Sequence, residues 1–261
     1  MTFRAVRILK EVDLITAEDT RHTRKLLSHF DIHTPATSLH QHNEAIKAGR
    51  VIESLQEGKN VALVSDAGMP GISDPGAQLV SEAVKAGIKV VPIPGPTAAI
   101  SGLVISGLPT DRFVFEGFLP RGKKQRRQRF KELAGEERTI VLYEAPHRLK
   151  EMLEDLTEMD AGREIAVARE LTKTYEEVVR GTAQRVLNHF RENQPRGEFT
   201  VIIAGAEPGK GQPEQAYPES VVQHVTNLMA EGLDKKQAMK EAAILRNVSK
   251  REVYKALIDE K

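Results

Sequence analysis

The sequence predicts an α/β protein, built from two α/β domains and a small C-terminal module of three helices. Three observations lead there. Apolar runs of strand length alternate with helical patterns over the first hundred residues, the signature of a parallel sheet covered by helices. Farther on, the strand-like runs 165–168 and 175–179 are too close together for a crossover helix, so part of a second sheet is antiparallel. Finally, a Pro/Gly-rich stretch precedes three short helical patterns.

In order, residues 3–12 read as an amphipathic helix, 13–17 as a strand, 20–30 as a helix and 36–39 as a short strand. A helix over 43–56 takes Asn43 as N-cap and Gly58 as its stop. Residues 60–65 (NVALVS) form a buried strand, 76–86 a helix closed by Gly87, and 88–93 another buried strand followed by a small-residue helix. Beyond a domain boundary near Asp111, strands are expected at 113–118, 139–143, 164–168, 175–180 and 198–204, and helices at 124–133, 147–158 and 182–192. The domains are therefore 1–111 (parallel sheet) and 112–206 (mixed sheet), with a linker at 207–217 and a helical module at 218–261. That module reads as helices 219–231, 235–245 and 250–258, with Asp234 and Ser249 as N-caps. Its eight basic and seven acidic residues leave nucleic-acid binding and plain packing as equal readings.

Composition narrows the chemistry. The chain has 261 residues, 38 basic against 37 acidic, giving a formal charge of +1 and no global pull toward polyanions. It has no cysteine, so disulfides, thiolate metal sites and a cysteine nucleophile are ruled out. The start MTFRAVRILKEVD has no signal-peptide core, and the uncharged stretch 90–109 is broken by prolines and glycines. A cytoplasmic protein without a membrane span is expected.

Several polar segments follow apolar strands, where open α/β sheets bind ligands. Residues 65–76 (SDAGMPGISDPG) let a ligand approach bare backbone, and Asp66 can anchor a hydroxyl or amine. Pro94-Gly95-Pro96-Thr97-Ala98 follows the next strand, so the two turns are expected to flank one pocket, with Asp66 and Thr97 facing the same cavity. Neither turn is a phosphate loop: G-x-G-x-x-G and G-K-S/T are missing. Asp19 and His22 lie three apart, a spacing that metal ligands use, but a first-turn acid and a surface histidine is the reading adopted, with no metal. Segments 143–148 (YEAPHR) and 168–173 (ARELTK) also end strands. Seven basic residues in eleven (121–131, RGKKQRRQRFK), with no acid among them, point to phosphates.

Taken together, VALVSDAGMPGISDPG, VVPIPGPTAA, LITAEDTRHT, LYEAPHRL and VARELTKTYEEV resemble the tetrapyrrole methylase superfamily, in five blocks along nearly the whole chain. Within it they resemble the branch that 2′-O-methylates a cytidine of small-subunit ribosomal RNA. The resemblance implies the two-domain fold, S-adenosylmethionine in the cleft between domains and a homodimer. It places cofactor contacts at Asp66, Ala67, Gly68, Met69 and Pro70, at Pro94, Gly95, Pro96, Thr97 and Ala98, and at Tyr143. It also favours the helical module as a holder of RNA or the small ribosomal subunit. For a 2′-hydroxyl attacking a sulfonium methyl, Glu18, Asp19, Glu144, His147 and Glu170 stand as alternative bases or orienting groups. Arg21, Arg121, Lys123, Lys124, Arg126, Arg127, Arg148 and Lys173 are the expected RNA contacts. The alternatives are a tetrapyrrole or other small-molecule methyltransferase of the same fold, or a catalytically dead RNA-binding protein.

One departure stands out. The family opens with a strand and a Pro-x-Pro-Ile-Gly-Asn-type loop, and Met1 falls just after them. Such a strand and loop take roughly 15–20 residues. A late start codon or a fragment is the expectation, with unpaired edges on the neighbouring strands and reduced cofactor binding.

Overall fold

A computed structural model describes residues 1–39, 44–207, 220–246 and 248–259. The chain divides into two compact units, Met1–Pro208 and Gly209–Lys261.

The first unit opens with α1 (Phe3–Glu11), capped by Thr2, whose hydroxyl accepts from the Ala5 N–H. A parallel sheet follows in the order β2 (Ala36–Ser38), β1 (Leu14–Ala17), β3 (Val61–Val64). Helices α2 (Thr20–His29), α3 (Glu44–Gln56) and α4 (Ala77–Lys85) cover it. Leu9, Ile15, Leu27 and Ile32 form one small core, and Leu39, Ala48, Val51 and Leu79 another. Asn43, expected as the α3 cap, lies outside the described residues.

The strand expected at 88–93 is a correction. Those residues run outside any sheet, and Val90 and Val91 are exposed. β3 pairs with β1 on one side only, so its four apolar residues are half-buried rather than buried. Its Ala62, Leu63 and Val64 form a wall of a largely apolar groove of about 540 Å³, with Ile93–Pro96 also lining it. A strand needs a neighbour close enough for ladder bonds, and across this groove neither segment has one.

The second sheet has the order β4 (Phe113–Phe118), β5 (Thr139–Glu144), β8 (Phe199–Ile203), β6 (Glu164–Arg169), β7 (Glu177–Thr182). β4 and β5 are parallel, whereas β8 runs antiparallel to both β5 and β6. One face packs Ile140, Leu142, Ile165, Val167, Val201 and Ile203 under α6 (Lys123–Leu133), α7 (Pro146–Asp160) and α8 (Ala183–Glu192). The other face packs Val141, Ala166 and Ile202 under Ala99 and Leu103 of α5 (Ala98–Ser106). Gly102 sets that approach, since a Cβ there would lie 2.9 Å from Thr200 Cγ2.

In the second unit α9 (Val221–Ala230), α10 (Lys235–Leu245) and α11 (Lys250–Asp259) pack around Val225, Leu228, Ala238, Ala242 and Val253. Asp234 and Gln237 form a capping box on α10, and Ser249 with Glu252 does the same for α11. The expected linker at 207–217 lies almost wholly outside the described residues. Among the described residues no helix is long and apolar enough to cross a membrane.

Candidate active site

Because β8 is antiparallel to its neighbours, its first residues lie beside the last residues of β5 and β6. Tyr143 pairs with Thr200, which pairs with Ala168 on the far side. That end of the sheet forms one wall of a cavity of about 400 Å³, lined by Phe118, Tyr143, Glu170, Lys173, Glu198 and Thr200. The two turns singled out in the sequence also line it, through Ala67, Gly68 and Met69 and through Pro96, Thr97 and Ala98. They touch each other: a Cβ on Gly68 would meet Pro96 O at 3.7 Å, and one on Gly95 would meet Met69 Sδ at 3.3 Å. Thr97 caps α5 by accepting from the Ile100 N–H, and the Ala99 N–H donates to Tyr143 Oη at 3.1 Å. That leaves the Tyr143 proton free to be donated.

The wall is strained. Of the four non-glycine residues with left-handed backbone among the described residues, Ser73 (φ 62°), Glu170 (φ 47°) and Thr172 (φ 65°) all line this cavity. Each such residue costs about 1–3 kcal/mol and persists only where its surroundings hold it, a pattern that clusters at ligand sites.

Asp74, between Ser73 and Pro75, was assigned no role in the sequence and lines the cavity. Burial, reinforced by the charges of Asp66 and Glu198, raises its carboxyl above the usual carboxylate range, against a lowering hydrogen bond from Ser65. Glu198 and Thr200 were also missed. They begin an antiparallel strand, and a search of strand C-terminal ends passes them over.

Several expected site residues lie elsewhere. Asp66 lines the groove beside β3, its carboxylate 3.2 Å from His22 Nδ1 and accepting from the Asp19 N–H. Asp66 and Thr97 therefore do not share a cavity; the touching turns form a partition, with Pro70, Pro94 and Gly95 on the Asp66 side. Asp19 is the α2 cap, accepting from the Arg21 N–H, and its carboxylate is held in two contacts by the Arg21 guanidinium. That pairing pushes the Asp19 carboxyl far below its ordinary range and occupies Arg21. Glu18 is outside the cavity, its pKa raised by burial and by Asp74 and Asp66. His147 is exposed on α7 and does not line the cavity.

Glu144 borders the cavity, yet its side chain alternates with Tyr143 and turns to the helix-covered face. There it is fully buried, accepts from the Ala145 N–H and lies 3.3 Å from Arg148 Nε. Arg148 Nη2 also donates to the Leu119 carbonyl at 2.6 Å. Burial raises the Glu144 carboxyl above its ordinary range, and its Oε2 has no hydrogen-bond partner among the described residues. Glu170 Oε1 accepts from Lys173 Nζ at 3.0 Å and from the Glu198 N–H at 3.1 Å, which together lower its pKa. A carboxylate whose pKa is lowered by such donors is a poor base.

The basic run divides in two. Arg126 is 1% exposed, its Nε donating to Asp155 Oδ2 at 2.7 Å. Arg127 bonds Asp155 and Glu158, and Arg129 bonds Glu116 and Glu132. Arg126 is thus taken up inside the protein, whereas Arg127 and Arg129 are ion-paired at its surface. Arg121, Lys123 and Lys124 remain exposed, with no ion pair among the described residues.

The family model for tetrapyrrole (corrin/porphyrin) methylases matches residues 1–187. The chain belongs to the tetrapyrrole methylase family, whose members transfer methyl groups from S-adenosylmethionine. It is similar to proteins named ribosomal RNA small subunit methyltransferase I. The one from Halalkalibacterium halodurans is 51% identical over 97% of this chain and 88% of the relative. That from Synechocystis sp. is 50% identical over 99% and 92%, and that from Bacillus subtilis 47% over 98% and 88%. Among solved structures, a cobalt precorrin-4 methyltransferase aligns with a TM-score of 0.56 at 17% identity, over 78% of this chain and 88% of that one. A diphthine synthase aligns with a TM-score of 0.57 at 16% identity, over 78% and 84%. Those two likenesses concern the fold alone.

Proposed function

We propose that this chain 2′-O-methylates a cytidine of small-subunit ribosomal RNA, using the cavity between the two touching turns and the end of the second sheet. One observation carries the reading: bare backbone at Gly68, a helix N-terminus at Ala98, the Tyr143 hydroxyl and the Asp74 carboxylate all border one space of about 400 Å³. Small-molecule sites occupy roughly 300–1,000 Å³, and a side chain at Gly68 would fill the cradle. Ala67, Gly68, Met69, Pro96, Thr97, Ala98 and Tyr143 would hold S-adenosylmethionine, beside the Lys173 ion pairs with Glu170 and Glu198. When bound, that cofactor supplies a methyl group already activated on a sulfonium. The chain's own residues then have two tasks. The strained loop 170–173 and the two turns fix orientation and exclude water. Asp74 accepts the proton of the attacking 2′-hydroxyl, its raised pKa matching it better to that task than the low-pKa Glu170.

Arg121, Lys123 and Lys124 are proposed to hold RNA phosphates, and the three-helix unit to contact RNA or the small subunit. A homodimer in the cytoplasm completes the proposal, supported by the outward face of α5, where Ile100, Val104 and Ile105 are exposed. Sedimentation that finds only a 29 kDa species would remove the dimer. The test of the activity is methyl transfer to small subunits from a strain lacking the enzyme, with nucleoside mass spectrometry of the digest. The expected product is 2′-O-methylcytidine. A base-methylated nucleoside, or none, overturns the reading. A small-molecule substrate has only the fold in its favour.

A further inference from the structure

β4 does not keep a strand's alternation. Its pairing with β5 shifts between Phe115 and Gly117, and Gly117 has φ 62°. In a regular strand residues 115 and 118 point to opposite faces. Here both rings meet Tyr143, Phe115 at a centroid distance of 5.1 Å and Phe118 at 5.8 Å. The bulge has re-aimed Phe118, which bulges at strand ends do. The position is built closely, since a Cβ on Gly117 would lie 3.2 Å from Ser73 Oγ. Yet the result is a phenyl ring 51% exposed on the wall of the cavity. A ring left half in water gains little from packing, so the bulge does not serve the core.

We propose that Phe118 is the stacking platform for a base of the RNA substrate, the target cytosine or its neighbour. The proposal rests on the reading of the cavity as the methyl-transfer site. A nucleotide splayed out of its stack brings its ribose hydroxyl into a cavity along with its base, and splayed bases are held on aromatic faces. The direction of the chain favours RNA over cofactor as the occupant. Phe118 lies three residues before Arg121 and five before Lys123, the exposed cations without ion pairs. A strand leaving the cavity across Phe118 would meet these charges next. The turns that approach by bare backbone belong to other segments, 67–69 and 96–98.

The chain contains no tryptophan, so Phe118→Trp adds a single indole that can be excited selectively over the four tyrosines. Its emission should be quenched by a cytidine-containing single-stranded oligoribonucleotide and unchanged by S-adenosylhomocysteine alone. Phe118→Trp should retain methyl transfer to small subunits. Phe118→Ala and Phe118→Leu should raise KM for subunits about 5- to 150-fold, the span of stacking one base, with unchanged cofactor affinity. Quenching by S-adenosylhomocysteine alone, no response to the oligonucleotide, or an unchanged KM in Phe118→Ala each overturns the proposal. If the wild-type chain methylates no ribose, the functional reading fails instead, and the fluorescence arm still decides whether Phe118 stacks on RNA.

Discussion

Asp74→Asn should lower methyl transfer by about 10²–10⁴-fold, the usual worth of a positioned base, while cofactor affinity stays near wild type. The pH profile gives the sharper readout. Asp74 faces Ser65, Asp66, Glu18, Tyr143 and Glu198, and its carboxyl is raised above the ordinary carboxylate range, first by burial and then by Asp66 and Glu198. The carboxylate is the active form, so activity should rise with pH through that elevated pKa, and the residual rate of Asp74→Asn should lack this acidic limb. Stability should move the other way. A carboxyl whose folded pKa is raised contributes stability below its unfolded pKa and loses it as pH rises through the folded value. At neutral pH Asp74→Asn should therefore melt no lower than wild type. A wild-type rate in this variant would sink the assignment.

Within the basic run, neighbouring substitutions should separate stability from RNA affinity. Arg126→Ala leaves the Asp155 carboxylate buried with part of its pairing gone. Breaking a buried pair from one side costs about 3–5 kcal/mol, and in a domain this large each kcal/mol lowers Tm by roughly 2–4 °C. Arg127 also bonds Asp155, which places the expected loss toward the lower end. Arg126→Met, which keeps the volume of the stem, should cost less. Replacing Lys123 and Lys124 together by alanine should leave Tm unchanged and weaken binding to small subunits. The slope of log affinity against log salt should then fall by roughly one per lysine. If Arg126→Ala melts like wild type yet loses affinity, the division drawn here is wrong.

These outcomes also mark what the sequence could and could not say. Continuous apolar runs such as TIVLYE and FTVII are buried on both faces and announced their strands. Asp234 with Gln237, and Ser249 with Glu252, announced their caps because a capping box is a local event. The strand expected at 88–93 failed for the converse reason: VVPI has strand composition, but a strand exists only with a partner in register. Site residues divided along the same line. Gly68, Pro96 and Thr97 lie on short loops after apolar runs, and that position puts them on the wall of a cavity. Whether Asp66 or Asp74 faces the cavity depends on which side of a turn each carboxylate leaves, and no spacing encodes that. The orientation of Glu144 was not legible, because one step along β5 exchanges the α5 face for the face under α7. Arg126 looked like a phosphate contact because its partner, Asp155, lies 29 positions away.

The uncovered side of β3 has a cost in solution. Val61–Val64 offers a row of backbone donors and acceptors beside four consecutive apolar side chains, without the lysine, proline or bulge that blunts such borders in native sheets. A second copy can pair with it edge to edge, joining the two sheets through backbone hydrogen bonds. Concentrated solutions of this chain should self-associate through that border, and a single charged replacement there should suppress the association.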